Sequence, residues 1–273
     1  MLTMTLLVSV ATVALGQPAR TPSPTEAFVT VNGVRLHYVD WGGTGEPLVF
    51  LTPLGGQLLE QFSELAPRFT DRFRVLGLTR RGQAPSEVPA SGYDVDTLVA
   101  DLVGFLDAMG IRRVNLAGHS VAGSEMTRFA GRHGDRVSRL VYLDAAVDYK
   151  FLAGIAAEAG LEGPRDPALA AILGAASLAR PDYTKVAAPA LNIKVVFDGP
   201  IPVHPQDDNP AYRRYLQLAV EKGVVDHNIE QFRRDMKRGT ILKLRNTTHG
   251  GFLTDPAQLA IFVPAMRAFL LAR

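Results

Sequence analysis

Short β-branched and apolar runs alternate with stretches of helical period along most of this chain, and the first two runs come as a pair. Phe28–Val31 and Val34–Val39 flank Asn32-Gly33; both turn residues tolerate positive φ, so a β-hairpin is expected there. After Gly42-Gly43-Thr44-Gly45, the run Pro47–Leu51 predicts a buried strand and Phe73–Leu78 another, with a helix over Leu58–Phe69 between them. Asp94 is placed to cap a helix running to Met109, because Leu98, Leu102, Phe105 and Met109 share one face and Gly110 stops it. Val114–Ala117 then predicts a strand, Ser120–His133 a helix and Arg139–Leu143 a strand. Further on the pattern gives a strand at Leu191–Phe197, helices near Tyr212–Lys222 and Asn228–Arg238, and a strand at Thr240–Leu244. Asp255 with Pro256 opens a last helix, in which Leu259, Phe262, Val263, Met266 and Phe269 recur at helical spacing.

A hairpin followed by strands that are each returned by a helix describes an α/β protein: a mostly parallel central sheet with helices on both faces. Ligands bind such sheets outside the carboxyl ends of the strands. Two long segments, Ala145–Ala188 and Gly199–Gly239, leave from strand ends. They are positioned to cover that crevice, and residues 145–188 are the expected small helical lid.

Composition changes the picture at the amino end. Met1–Gly16 is apolar and uncharged and closes on Ala14-Leu15-Gly16 before Gln17-Pro18, the pattern of a secretory signal peptide cut after Gly16. An uncleaved anchor is the alternative, but the run is shorter than the roughly 20 residues that span a bilayer. Residues 17–26, rich in Pro, Ser and Thr, are expected to be a flexible leader, and 27–273 a single domain. The expected location is secreted or periplasmic, with no stable membrane association after cleavage. The chain has no cysteine, which excludes disulfides and thiolate metal sites. A net charge of +2 is too small to argue for nucleic acid. The local cluster Arg213, Arg214, Arg233, Arg234, Lys237 and Arg238 reads as solvated helix faces.

Candidate chemistry centres on Gly118-His119-Ser120-Val121-Ala122, followed by Gly123. A nucleophile on a strand-to-helix turn needs small residues two positions either side, because the strained backbone brings strand end and helix start together. Gly118 and Ala122 meet that demand, and the pattern follows a predicted strand and opens a predicted helix. Ser120 is therefore the candidate nucleophile, at a helix amino end that favours developing negative charge.

With "VNGVRLHYVDWGGTGEPLVFL", "FRVLGLTRRGQAPS", "GHSVAG" and "NTTHGGFLTDP" in this order, nearly all of the mature chain resembles the α/β-hydrolase superfamily, serine esterases and lipases among them. The resemblance implies a catalytic triad. Of six histidines, His249 lies between a strand and the final helix, where the superfamily places its base. Aligning "PALNIKVVFD" places Asp198 at the usual acid position, and Asp144, closing "LVYLD", is the site other branches use. Two backbone N–H groups would form the oxyanion hole: that of Val121, and that of Leu54 in Thr52-Pro53-Leu54-Gly55-Gly56, since Pro53 has none. "TRRGQAPS" reads as a structural turn.

These residues imply covalent acyl transfer, in which Ser120 attacks a carbonyl, His249 moves the proton and water releases the acyl group. The expected substrate is a small-molecule carboxylic ester or lactone. Amino-terminal proline peptide cleavage, C–C bond hydrolysis and perhydrolysis use the same triad and remain open, and so does a non-catalytic binding role on the same scaffold. A serine at the elbow argues against the aspartate-nucleophile branches. No cofactor and no metal is implied.

Overall fold

The strands β1 (Thr25–Val31) and β2 (Val34–Gly42) form the expected hairpin, with Val31 opposite Val34 and both Asn32 and Gly33 at positive φ. The computed structural model describes residues 23–197, 199, 201 and 209–272. The expected signal peptide at 1–16, most of the leader and Asp198 lie outside the described residues. Strand β1 starts at Thr25, inside the stretch expected as leader, because its pairing to β2 runs back to Thr25 opposite Asp40.

The remaining strands are β3 (Glu46–Leu51), β4 (Phe73–Leu78), β5 (Val114–His119), β6 (Val137–Leu143), β7 (Ala190–Val195) and β8 (Gly239–Leu244). They join the hairpin in one eight-stranded sheet of order β1-β2-β4-β3-β5-β6-β7-β8, parallel from β4 onward. Parallel pairing requires crossovers, and these bury both faces. On one face, Leu116 and Leu140 pack with Phe105 of α2 (Val95–Ala108) and with Met126 and Phe129 of α3 (Ala122–Arg132). On the other, Phe50, Ala117 and Ile193 pack with Phe62 of α1 (Leu58–Phe62) and with Phe262 and Met266 of α8 (Pro256–Leu271). Leu116 and Ala117 thus point to opposite layers, as the two-residue period of a strand requires.

Local signals fix the helix starts. Asp94 accepts the Thr97 N–H at 2.9 Å and opens α2, and Asp255 accepts the Ala257 N–H at 2.9 Å to open α8. The helix expected over Leu58–Phe69 is instead α1 followed by a 3₁₀ turn at Ala66–Phe69. Pro67 explains the break, since it cannot donate the N–H that a continuous helix would send to Ser63.

Residues 145–188 carry α4 (Tyr149–Glu158) and α5 (Pro167–Leu178), and the segment before β8 carries α6 (Pro210–Glu221) and α7 (Val224–Asp235). Tyr149 of α4 and Ile172 and Ala176 of α5 pack against Val121, at the start of α3, with half-buried Leu54 alongside. Two helices of the first excursion therefore sit at the carboxyl end of the sheet. Among the described residues, no helix is long and apolar enough to cross a membrane.

Candidate active site

Ser120 occupies the turn between β5 and α3 with φ of 56°, a left-handed conformation that costs an L residue energy and is held by its surroundings. The small residues around it are required by space. A Cβ on Gly118 would lie 2.8 Å from Ala122 Cβ and 2.4 Å from Met126 Sδ, and one on Gly123 only 1.8 Å from the Ala145 carbonyl oxygen. Gly123 thus lets the elbow approach the residue after Asp144, which couples the ends of β5 and β6.

Asp144 follows β6, also at positive φ (47°). Its Oδ2 lies 2.6 Å from His249 Nδ1, and its Oδ1 lies 2.6 Å from Lys194 Nζ and accepts a longer bond, 3.4 Å, from the Val195 N–H. Asp144 and Lys194 are both buried. Burial pushes the Asp144 carboxyl up, but the Lys194 ammonium and the bond to His249 outweigh it and hold the group well below the usual carboxylate range. The carboxylate that meets His249 is thus Asp144, the alternative to Asp198; Asp198 itself lies outside the described residues. The physical reason is that the left-handed turn after β6 brings the carboxylate to the imidazole, while Lys194 on the neighbouring strand neutralises its burial.

His249 lies in the loop between β8 and α8, its side chain about half exposed. His119, next to the nucleophile, secures it: His119 Nε2 donates to the His249 carbonyl at 2.8 Å, and the two rings lie 4.6 Å apart, centroid to centroid. A carbonyl accepts only, so His119 carries its proton on Nε2. Burial, and then the neighbouring His249, push the His119 value down to about 3, so this ring stays neutral.

Ser120 and His249 are thus carried to the same end of the sheet, but the hydrogen bond of Ser120 Oγ is to the Tyr149 hydroxyl, at 3.3 Å. Tyr149 is buried at the first turn of α4, and burial pushes its hydroxyl well above the ordinary phenol value, so it remains protonated. The two expected oxyanion donors also converge, since Leu54 and Val121 share one apolar cluster with Tyr149. Among the described residues, neither backbone N–H is engaged by a protein acceptor.

Tyr149 and Lys194 were missed from sequence. Lys194 did leave a signal, a lone charge within the apolar strand "ALNIKV", where it must find a partner or deprotonate. Tyr149 left none beyond an aromatic after the helix-capping Asp148. The "TRRGQAPS" turn is structural as read: Arg80 and Arg81 are buried, and Arg81 makes a bidentate pair with Asp101 at 2.5 and 2.7 Å.

A family model described as the alpha/beta hydrolase fold matches residues 46–166, the stretch from β3 through the elbow and Asp144 into the first excursion. The chain has the α/β-hydrolase fold. Relatives include the non-heme chloroperoxidase CPO-A1 of Kitasatospora aureofaciens, 36% identical over 120 residues, which are 43% of this chain and 42% of that protein. Epoxide hydrolase A of Mycobacterium tuberculosis (strain ATCC 25618 / H37Rv) is 35% identical over 124 residues, 44% of this chain and 38% of its own. The chain thus matches only about two-fifths of the length of either relative. Among solved structures, an E-2-(acetamidomethylene)succinate hydrolase superposes with a TM-score of 0.68 over 92% of this chain and 100% of its own, at 16% identity, a likeness of fold.

Proposed function

We propose that the protein is a serine hydrolase that cleaves small carboxylic esters or lactones through a Ser120 acyl-enzyme. One observation carries this reading: a serine held at positive φ on a strand-to-helix turn, at the same sheet end as a histidine whose Nδ1 is 2.6 Å from a buried carboxylate. His249, its Nδ1–H held by Asp144, keeps Nε2 as the base. It takes the Ser120 proton as Oγ adds to the substrate carbonyl, then returns it to the departing alcohol. The developing oxyanion is met by the N–H groups of Leu54 and Val121. Water, activated by the same imidazole, then releases the acid. In the structure Ser120 Oγ is turned to Tyr149; catalytic hydrogen bonds commonly tighten only once substrate is bound.

The substrate wall is supplied by α4 and α5, which serve as a lid in this reading. Their residues toward the elbow are Tyr149, Leu152, Leu169, Ile172, Leu173 and Ala176, which favours a modest apolar acyl or alcohol group. A second reading, release of the acyl group to hydrogen peroxide instead of water, is favoured by the relation to a chloroperoxidase.

The test is turnover of p-nitrophenyl acetate, butyrate and octanoate and of δ-valerolactone, with and without hydrogen peroxide, by wild type and Ser120→Ala. The expected result is hydrolysis of the apolar substrates by wild type and its loss in the variant. No turnover by wild type, or equal turnover by Ser120→Ala, would contradict the reading. A non-catalytic binding protein predicts the first of these outcomes.

A further inference from the structure

A densely bonded side chain near the site is Arg80, which is 4% exposed. Its Nη2 donates to the Thr52 carbonyl at 2.6 Å, its Nη1 to the Pro53 carbonyl at 3.1 Å and to Gln83 Oε1 at 2.8 Å, and its Nε to Glu125 Oε1 at 2.6 Å. Gln83 Nε2 donates to the same Pro53 carbonyl at 3.1 Å, and the Gly56 N–H adds a longer bond of 3.4 Å.

The Pro53 carbonyl and the Leu54 N–H belong to one peptide unit. That unit is planar and trans, since the one cis bond among the described residues is Ala84–Pro85, so its C=O and N–H point in opposite directions. Whatever grips the carbonyl aims the N–H. Among the described residues the Leu54 N–H is also left without a protein acceptor, and the Leu54 side chain packs with Val121 and Tyr149. Glu125, the fourth partner, is in the first turn of α3, the helix that Val121 opens. One guanidinium therefore ties together the two backbone segments that carry the two donors.

We propose that Arg80, together with Gln83, is a positioning residue of the oxyanion site: by holding the Pro53 carbonyl it aims the Leu54 N–H, and through Glu125 it fixes that donor relative to Val121. This rests on the hydrolase reading above. The role demands arginine, because a planar fork with several donors in fixed directions can hold two carbonyls and a carboxylate at once. A lysine ammonium offers a single centre. A mis-aimed donor weakens contacts made only in the transition state, so kcat falls while substrate affinity stays.

The experiment compares wild type, Arg80→Lys and Gln83→Leu with p-nitrophenyl butyrate, each preparation corrected for its active fraction by titration with a fluorophosphonate to completion. Gln83→Leu keeps the Arg80–Glu125 ion pair, and so tests the idea even if Arg80→Lys does not fold. The expected result is a kcat lowered about 10-fold in Gln83→Leu, less than for outright loss of an oxyanion donor, and about 100-fold in Arg80→Lys, the low end of the range for such a loss. KM should stay within about twofold, and the Ki of phenylboronic acid, which forms a tetrahedral adduct on serine, should rise in step with the loss of kcat/KM. A merely structural role would lower melting temperature and active fraction but leave corrected kcat and the boronate Ki unchanged, which would overturn the proposal alone. A wild type that neither turns over the ester nor takes up the probe at Ser120 would overturn both the proposal and the reading beneath it.

Discussion

The Lys194 ammonium lies 2.6 Å from Asp144 Oδ1, on the carboxylate oxygen opposite the one that meets His249. The pair is buried, so removing one member strands a charge, at a cost of about 3–5 kcal/mol. Lys194→Met is expected to lower the urea-unfolding free energy at pH 7 by about that amount. The double variant Lys194→Met with Asp144→Asn should lose less than Lys194→Met alone, since neither charge is then stranded. Because the Asp144 carboxyl is held below its ordinary value in the fold, the stability it contributes is present above the unfolded value, near 4. It is lost as pH falls below that.

His119 gives a pH dependence of its own. Burial first, and the neighbouring His249 second, depress its value from 6.5 to about 3. The unfolded chain takes up this proton below about pH 6.5 while the folded chain refuses it down to about 3, so stability falls with falling pH across that window, by about 1.4 kcal/mol per unit at the steepest. Unfolding midpoints in urea at pH 7, 5.5 and 4.5 should show this slope in wild type. His119→Gln, which can still donate to the His249 carbonyl, should flatten it. An unchanged slope in the variant would place the acid sensitivity elsewhere.

Tyr149→Phe removes one hydroxyl from the neighbourhood of the nucleophile and leaves the ring packing intact. The Tyr149 hydroxyl bonds Ser120 Oγ at 3.3 Å, and a neutral hydrogen bond of this kind is worth about 1 kcal/mol. The expected outcome is a turnover with p-nitrophenyl butyrate lower by about 5- to 10-fold, with a melting temperature close to wild type. A rise in turnover would instead mean that Tyr149 restrains Ser120 from His249.

Gly123→Ala would place a methyl 1.8 Å from the Ala145 carbonyl oxygen, against backbone that cannot rotate away. Overpacking costs about 1–3 kcal/mol and more where nothing yields. Circular dichroism melts should show a loss at the upper end of that range or beyond. Gly134→Ala, where no atom lies within 4 Å of the added carbon, is the control and should change little.

Much of this fold was legible because two signals agreed over most elements. The period-two and apolar runs located β4 to the residue, Phe73–Leu78, and the Asp94 cap located α2. Where they disagreed, local chemistry won: Pro67 divided a segment whose apolar spacing favoured one helix. At the candidate site, the placing of Ser120 on a sharp turn and of His249 before the last helix could be read from a strand-turn-helix pattern and a loop position. The carboxylate that contacts His249 could not, because Asp144 and Asp198 each close a predicted strand, and only the pairing of β6 with β7 brings Lys194 beside Asp144. Tyr149, Arg80 and Gln83 act through contacts between residues 27 to 45 positions apart, such as Arg80 with Pro53 and with Glu125. Such contacts have no local pattern to announce them.

The central claim is that Ser120, His249 and Asp144 act as one unit. It is tested most directly by following a fluorophosphonate onto the protein by intact mass and peptide mapping, in wild type, Ser120→Ala, His249→Asn, Asp144→Asn and Asp198→Asn. The account predicts a single adduct on Ser120 in wild type, none in Ser120→Ala, and labelling slowed by as much as about 10⁴-fold in His249→Asn and Asp144→Asn, with Asp198→Asn close to wild type. Adduct formation away from Ser120, or an Asp144→Asn variant that labels at the wild-type rate while Asp198→Asn does not, would contradict it.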